Sequence, residues 1–329
     1  MGIGSAARAF RILPEAALTA APLGLFRELH EVNMQSHDRN WVEYFAGVGH
    51  QVVTPLAAGM EGAVYRLGGG LIGKVWGRRG IAELTSLQEF YDDITAARLP
   101  FATPQILDVL KVERTSVTIE RELPGRPLKQ AVSRRPGNQL LAEDAVVEVL
   151  HALATVPASA TMHRLAVLDE QQPLWNGADL LRAAVAPVGF EYVHGRLLEL
   201  VDRQTSRPLS VVHGDLCAEN ILVDDDLRPV ALLDFGFLST VGDPAFDASV
   251  AAGILDMYGP AAREVDDRLT ARIAREFGYP VELLLLYRVA YSIATANAYA
   301  LDGDDGHFAW CAQVLQRDDI LEVLDMPAI

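Results

Sequence analysis

The chain has 329 residues, half of them hydrophobic and 22% charged, the balance of an ordinary globular protein long enough for one or two domains. Its 44 acidic residues outweigh 28 basic ones to give a net charge of −16, which argues against nucleic acid as a main partner, because phosphate backbones demand a basic face. Cys217 and Cys311 are its only cysteines, too few for a disulfide framework, so a reducing cytoplasm is the default compartment. The acidity is compatible with a cationic substrate and equally with a solvated acidic surface.

Arg8 and Arg11 precede an Ala/Leu-rich stretch, but Pro14 and Glu15 interrupt it and no apolar run approaches the length of a membrane span. The sequence therefore predicts a soluble, unprocessed protein with no membrane partner. Residues 1–45 carry no assignable function. Leu23–Val32 has the spacing of a short amphipathic helix, and Trp41–Phe45 that of a helical lead-in to the first strand.

From Val52 the pattern turns to strands over Val52–Leu56, Ala63–Leu67 and Leu71–Trp76. Gly68-Gly69-Gly70 is a hairpin turn. The loop from Gly59 to Gly62 is either a second simple hairpin or a place where backbone approaches a ligand. Lys74 interrupts an apolar strand, so it either snorkels at an edge or has a buried anionic partner. A helix is predicted over Ile81–Ala97, with Leu87, Phe90 and Ile94 as its apolar stripe. Glu83 lies on that stripe one turn before Leu87, whereas Glu89 points elsewhere, because six residues rotate a helix by about 600°. Gln105–Lys111 and Ser116–Arg121 read as two further strands, and the Pro-Gly-Arg-Pro run at 124–127 marks a lobe boundary. The expected organisation is an extension over 1–45, a first lobe over 46–123 and a second over 124–329.

The second lobe is helical in pattern: Val146, Val149, Leu150 and Leu153 keep helical spacing, as do Leu197, Leu198 and Val201. His151 and His194 lie in these segments as core or surface residues, with no second metal-type residue beside them. Val211–Asp247 then breaks the pattern. Val211–Val212, Ile221–Val223 and Val230–Leu233 are short strands, and Asp224–Asp226 is a turn. This puts Asp215, Asn220 and Asp234 at strand ends or loops on one edge of a small sheet. Two carboxylates and an amide, with no His/Cys cluster nearby, suit a hard cation such as Mg²⁺ that keeps several waters. Val281–Tyr299 reads as a central helix whose Tyr287, Tyr291 and Tyr299 are core, and Asp302-Gly303-Asp304-Asp305-Gly306 after it as a solvated acidic turn.

His213-Gly214-Asp215, Asn220 and Asp234-Phe235-Gly236, followed by Gly242-Asp243-Pro244 and Asp247, resemble the catalytic segment of the aminoglycoside phosphotransferase and choline kinase branch of the protein-kinase-like superfamily. The resemblance implies an α+β, two-lobed fold: a small antiparallel sheet with one helix, then a larger, mainly helical lobe. It implies ATP or GTP as co-substrate with Mg²⁺ as cofactor. Gly59 and Gly62 would cover the phosphates, although the full G-x-G-x-x-G pattern is lacking. Lys74 would clamp the α- and β-phosphates and pair with a glutamate on the next helix. Its stripe favours Glu83, and the family's usual connection length favours Glu89. The stretch from Glu120 to Leu128, Glu120 and Leu123 in particular, would be the hinge whose backbone meets the base. Asp215 would orient or deprotonate the acceptor hydroxyl, Asn220 and Asp234 would hold the metal, and His213, Asp243 and Asp247 would brace the loop.

The function implied is transfer of a γ-phosphate to a hydroxyl of a small, polar and cationic molecule. An antibiotic acceptor ranks ahead of a choline-, homoserine- or sugar-kinase role, and the acids at 302–305 would then face substrate amines. A protein kinase is disfavoured because Asp243 follows Asp234 too closely to leave a peptide platform. A non-catalytic nucleotide-binding module is disfavoured because Lys74, Asp215, Asn220 and Asp234 are all present.

Overall fold

The structure is a computed structural model and describes residues 40–325 apart from 60–61, 134–136, 159–177, 187, 205–207, 236–240 and 301. The helix expected at Leu23–Val32 lies outside the described residues. The first described element is helix α1 (Trp41–Gly47), whose N-terminal amides are capped by the Asn40 side chain, accepting from Val42 N at 3.2 Å and Glu43 N at 3.3 Å.

Five strands follow: β1 (Thr54–Gly59), β2 (Gly62–Gly68), β3 (Leu71–Trp76), β4 (Ile106–Val112) and β5 (Thr115–Arg121). They form one antiparallel sheet in the order β1-β2-β3-β5-β4. Strand alternation gives the sheet two unlike faces. On the outer face Tyr65, Leu67, Val75 and Val117 pack with Trp41 and Phe45 of α1 as a separate small core. The Phe45 ring comes so close to β3 that a Cβ on Gly73 would lie 2.5 Å from its Cζ. The boundary expected between 45 and 46 therefore falls inside a helix that the sheet needs. The inner face carries Lys74, Trp76, Thr118 and Glu120 and is covered by α2 (Ile81–Ala96), whose buried stripe is Leu84, Leu87, Phe90, Tyr91 and Ile94.

The five-stranded sheet stops at Arg121. After the turn at Gly125, β6 (Arg126–Pro127) joins a different, three-stranded sheet with β8 (Ile221–Val223) and β9 (Pro229–Leu232). Gly125 has φ +100°, and a Cβ there would meet Val230 Cγ2 at 2.6 Å, so only glycine fits this crossing.

The rest is mainly helical: α3 (Leu128–Ser133), α4 (Gln139–Leu153), α5 (Ala178–Ala184), α6 (Phe190–Gln204), α7 (Ala245–Ile254), α8 (Ala262–Phe277), α9 (Val281–Thr295), α10 (Gly306–Val314) and α11 (Asp318–Leu324). The short strands β7 (Ser210–Val211) and β10 (Val241–Gly242) pair on either side of the catalytic segment. Helix α9 is buried from Leu283 to Thr295 and carries a fully buried Arg288, neutralised by Asp266 of α8 at 2.5 Å, as a charge at such depth requires. His151 stacks on Phe277 and His194 on Phe190, both in structural roles. None of the described helices is long and apolar enough to cross a membrane.

Candidate active site

The site grows out of the turn between β7 and β8. Gly214 adopts φ +84°, a left-handed conformation that glycine takes without penalty. That turn aims two successive amides at one buried carboxylate: Asp247 Oδ2 accepts from His213 N at 2.7 Å and Oδ1 from Gly214 N at 2.9 Å. Burial outweighs these bonds and pushes the Asp247 pKa up to about 7. His213 is fully buried and bridges two segments. Its Nδ1 accepts from Asp215 N at 3.2 Å, which leaves Nε2–H to donate to Leu233 O at 2.6 Å. Desolvation holds the His213 pKa down at about 4, so the ring is neutral and serves as a strut. Asp243 Oδ1 accepts from Ala245 N at 2.9 Å at the start of α7.

Asp215 is thereby held at the mouth of the turn, half-buried. Burial, with help from the charges of Glu219 and Asp234, raises its pKa to about 6, suited to a group that must exchange a proton near neutrality. Asn220 donates from Nδ2 to Asp215 O at 2.9 Å, and its own carbonyl accepts from Leu233 N at 2.8 Å. Those two bonds and the β8–β9 register bring Asn220 and Asp234 to the same end of one hairpin. Asp234 takes φ +49°, unusual for a side-chain-bearing residue and tolerated best by Asp and Asn.

From the first lobe, Lys74 reaches across to Asp234 Oδ1 at 3.2 Å, with 57% of the Asp234 side chain still open to solvent. The Lys74 charge holds the Asp234 carboxyl below its ordinary range. Lys74 also lies 4.1 Å above the Trp76 ring, a cation–π contact. Trp76 Nε1 donates to Thr118 Oγ1 at 2.9 Å, and Thr118 donates on to Glu120 Oε1 at 2.5 Å. The inner face of the sheet is thus polar at the cleft. The Gly59–Gly62 register closes the hairpin opposite it, and a Cβ on Gly62 would fall 1.8 Å from Val75 O; residues 60–61 and Gly236 lie outside the described residues.

Two expected positions are corrected. Glu83 does not pair with Lys74; it is exposed and lies 3.9 Å from Arg79 Nε. It sits in the first turn of α2, ahead of the packed stripe that begins at Leu84, so its angular position does not bring it to the sheet. Glu89 is exposed as well. Glu120 is not hinge but sheet: it is registered between Ile72 and Ile106 with a buried side chain. The amides of Arg121 and Glu122 are also engaged, to Gln105 O at 3.1 Å and Gly70 O at 2.9 Å. One contact has no signal in the sequence: Tyr291, a buried member of the α9 stripe, donates its hydroxyl to Asp215 Oδ1 at 3.4 Å.

Whether Mg²⁺ and a nucleotide fit is answered by the donor set. Among the described residues no group of three His, Cys, Asp or Glu converges, but Asp234 with the Asn220 amide is the sparse oxygen set that Mg²⁺ takes when phosphates and waters complete its shell. Such a metal neutralises charge on the phosphate oxygens when bound.

A strand lysine facing a metal-type aspartate across two lobes, with a braced His-Gly-Asp loop beside them, defines a kinase-like phosphotransferase acting on a hydroxyl acceptor. The chain belongs to the phosphotransferase enzyme family, whose sequence model matches residues 52–285. No curated protein matches. Among solved structures it is similar to the aminoglycoside phosphotransferase APH(3'')-Id from Streptomyces rimosus in complex with ADP and streptomycin, at 19% identity and TM-score 0.51 over 75% of this chain and 94% of that one. It is also similar to APH(2")-IIa in its gentamicin complex, at 15% identity and TM-score 0.52 over 88% and 96%. A third is the GDP complex of aminoglycoside 2'-phosphotransferase-IIIa, at 16% identity and TM-score 0.52 over 83% and 95%. These likenesses establish the fold: a small antiparallel sheet lobe joined to a larger helical one.

Proposed function

We propose that the protein transfers the γ-phosphate of ATP or GTP, with Mg²⁺, to a hydroxyl of a small cationic molecule, with an antibiotic as the leading acceptor. The observation that carries the chemistry is the Lys74–Asp234 contact at 3.2 Å, made across 160 positions of sequence, with Asp215 in the same electrostatic neighbourhood. Lys74 binds the α- and β-phosphates. Asp234 and Asn220 hold the metal, Asn220 anchored by its nitrogen so that its oxygen is offered. Gly59 and Gly62 let backbone lie over the phosphates, and Leu123 offers backbone to the base. Asp215 receives or orients the acceptor hydroxyl, and phosphoryl transfer asks for little beyond this positioning and charge neutralisation.

The antibiotic acceptor is supported by aminoglycosides in the complexes of structural neighbours and by the net charge of −16. Asp302 and Asp304 are exposed after α9, whereas Asp305 is engaged as the cap of α10, accepting from Phe308 N at 2.7 Å. The deciding experiment is phosphate transfer from radiolabelled ATP and GTP to a panel of aminoglycoside, peptide and nucleoside antibiotics beside choline, homoserine and sugars. Transfer only to the metabolic alcohols, or only to protein, would sink the antibiotic assignment.

A further inference from the structure

A cluster of rings adjoins Asp215 through Tyr291. Tyr291, bonded to Asp215, meets Trp310 and His307 edge-on, each at 6.1 Å between ring centroids. His307 stacks on Trp310 and takes the Tyr299 ring edge-on at 5.0 Å. Its Nδ1 lies 3.3 Å from the Tyr258 hydroxyl and its Nε2 2.9 Å from Thr295 Oγ1. Desolvation holds the His307 pKa at about 4, so this buried ring is a neutral centrepiece.

Around it three rings stay open. Tyr258 is 38% exposed and Tyr299 41%, and Trp310 is half-buried. Burial raises both tyrosine phenols, and both rings connect to Asp215 through His307 and Tyr291. All three rings are gathered on His307, and exposed apolar groups collected in one place mark binding surfaces; Tyr and Trp give large contact area with a polar tip. Glu219 on the catalytic loop acts electrostatically on both phenols, and Asp302 and Asp304 are exposed in the turn before α10, which disfavours an acidic ligand.

We propose that Tyr258, Tyr299 and Trp310 form the wall that receives the acceptor, and that the acceptor is an amine-bearing alcohol with a flat apolar or aromatic ring rather than a uniformly polar polycation. This rests on Asp215 being the residue that meets the acceptor hydroxyl. The ring lies on the wall, the ammonium group is stabilised by aromatic faces and acidic side chains, and Tyr291 holds one Asp215 oxygen in place.

Calorimetric binding of puromycin, an amine-bearing alcohol with an aromatic ring, is compared with that of kanamycin, a polyamine sugar, both with MgADP present. Puromycin binds about tenfold more tightly or better, a gap within reach of a few aromatic contacts. The double variant Tyr258→Ala/Tyr299→Ala erases that preference, and Tyr258→Phe/Tyr299→Phe retains it because the ring faces remain. Kanamycin binding as tightly as puromycin, no puromycin binding, or an unchanged preference in the alanine variant overturns the wall. A thermal shift with MgADP on the same samples reports folding and the nucleotide site independently; its absence from the unaltered protein would count against the phosphotransferase assignment instead.

Discussion

The catalytic loop and the aromatic wall meet at Asp215 and are held in opposite ways. The loop is fixed by buried backbone bonds: two amides on Asp247, His213 between Asp215 N and Leu233 O, and Asn220 on Asp215 O. The wall is held by ring contacts between α9, α10 and the loops beside them, with its outer rings open to solvent. Buried, fully bonded networks define one geometry, whereas exposed side chains can be exchanged without disturbing the fold. The chemistry is therefore the rigid half of the site, and acceptor choice the adjustable half.

The largest break in that comparison comes from the carboxylates. Asp215→Ala should lower kcat by about 10²–10⁴-fold while MgATP affinity stays near wild type, and Asp234→Ala should weaken both. Equal and mild losses would contradict the two roles. Because the Asp215 pKa is raised to about 6, its ionised form is lost as pH falls through 6, and kcat/KM should fall along an acid limb there. A profile flat from pH 5 to 8 would remove the base assignment.

Asp247→Asn tests the brace. One oxygen becomes a donor facing a backbone N–H, so stability should fall by about 1–3 kcal/mol and turnover with it. The sign of the pH effect follows from the raised pKa of about 7. The folded state binds this proton more tightly than the unfolded chain, whose carboxyl titrates near ~3.9. The stabilisation is therefore full at low pH and is lost as pH rises through 7. The wild-type advantage over the variant, read by denaturant midpoint, should shrink over that interval. An advantage that grows would contradict the buried, raised carboxyl.

On the adjustable half the effects are smaller. Asp302→Asn/Asp304→Asn, with Asp305 kept as the α10 cap, should raise the KM for a cationic acceptor and blunt its rise with salt, since exposed charges are screened over ~10 Å at 0.1 M. Nucleotide KM should not move. The smallest effect is expected from Glu83→Ala, within about 0.5 kcal/mol of stability and with unchanged kcat. A large loss of nucleotide affinity would restore Glu83 as the partner of Lys74.

The catalytic segment was legible in the sequence because its chemistry and its fold are both local: a hairpin sets Asn220 beside Asp234, and the turn at Gly214 sets Asp215. The strands and α2 were legible because each has one buried face with its own period. Glu83 misled because angle around a helix says nothing of where along the sheet its first turn falls. Glu120 misled because the end of a strand is set by its partners Ile72 and Ile106, which composition does not show. The spacing of Tyr291 makes it core, and it is buried, but its bond to Asp215 spans 76 positions, beyond any spacing rule.

Phe45 seated over Gly73 bears on where the chain can be cut. The family match begins at residue 52, and a version started there would lose Trp41 and Phe45. Tyr65, Leu67, Val75 and Val117 would then face water on the outside of a sheet, an invitation to self-association. Residues ahead of the family's common segment cover this face, and a protein trimmed by resemblance alone should self-associate where the longer one does not.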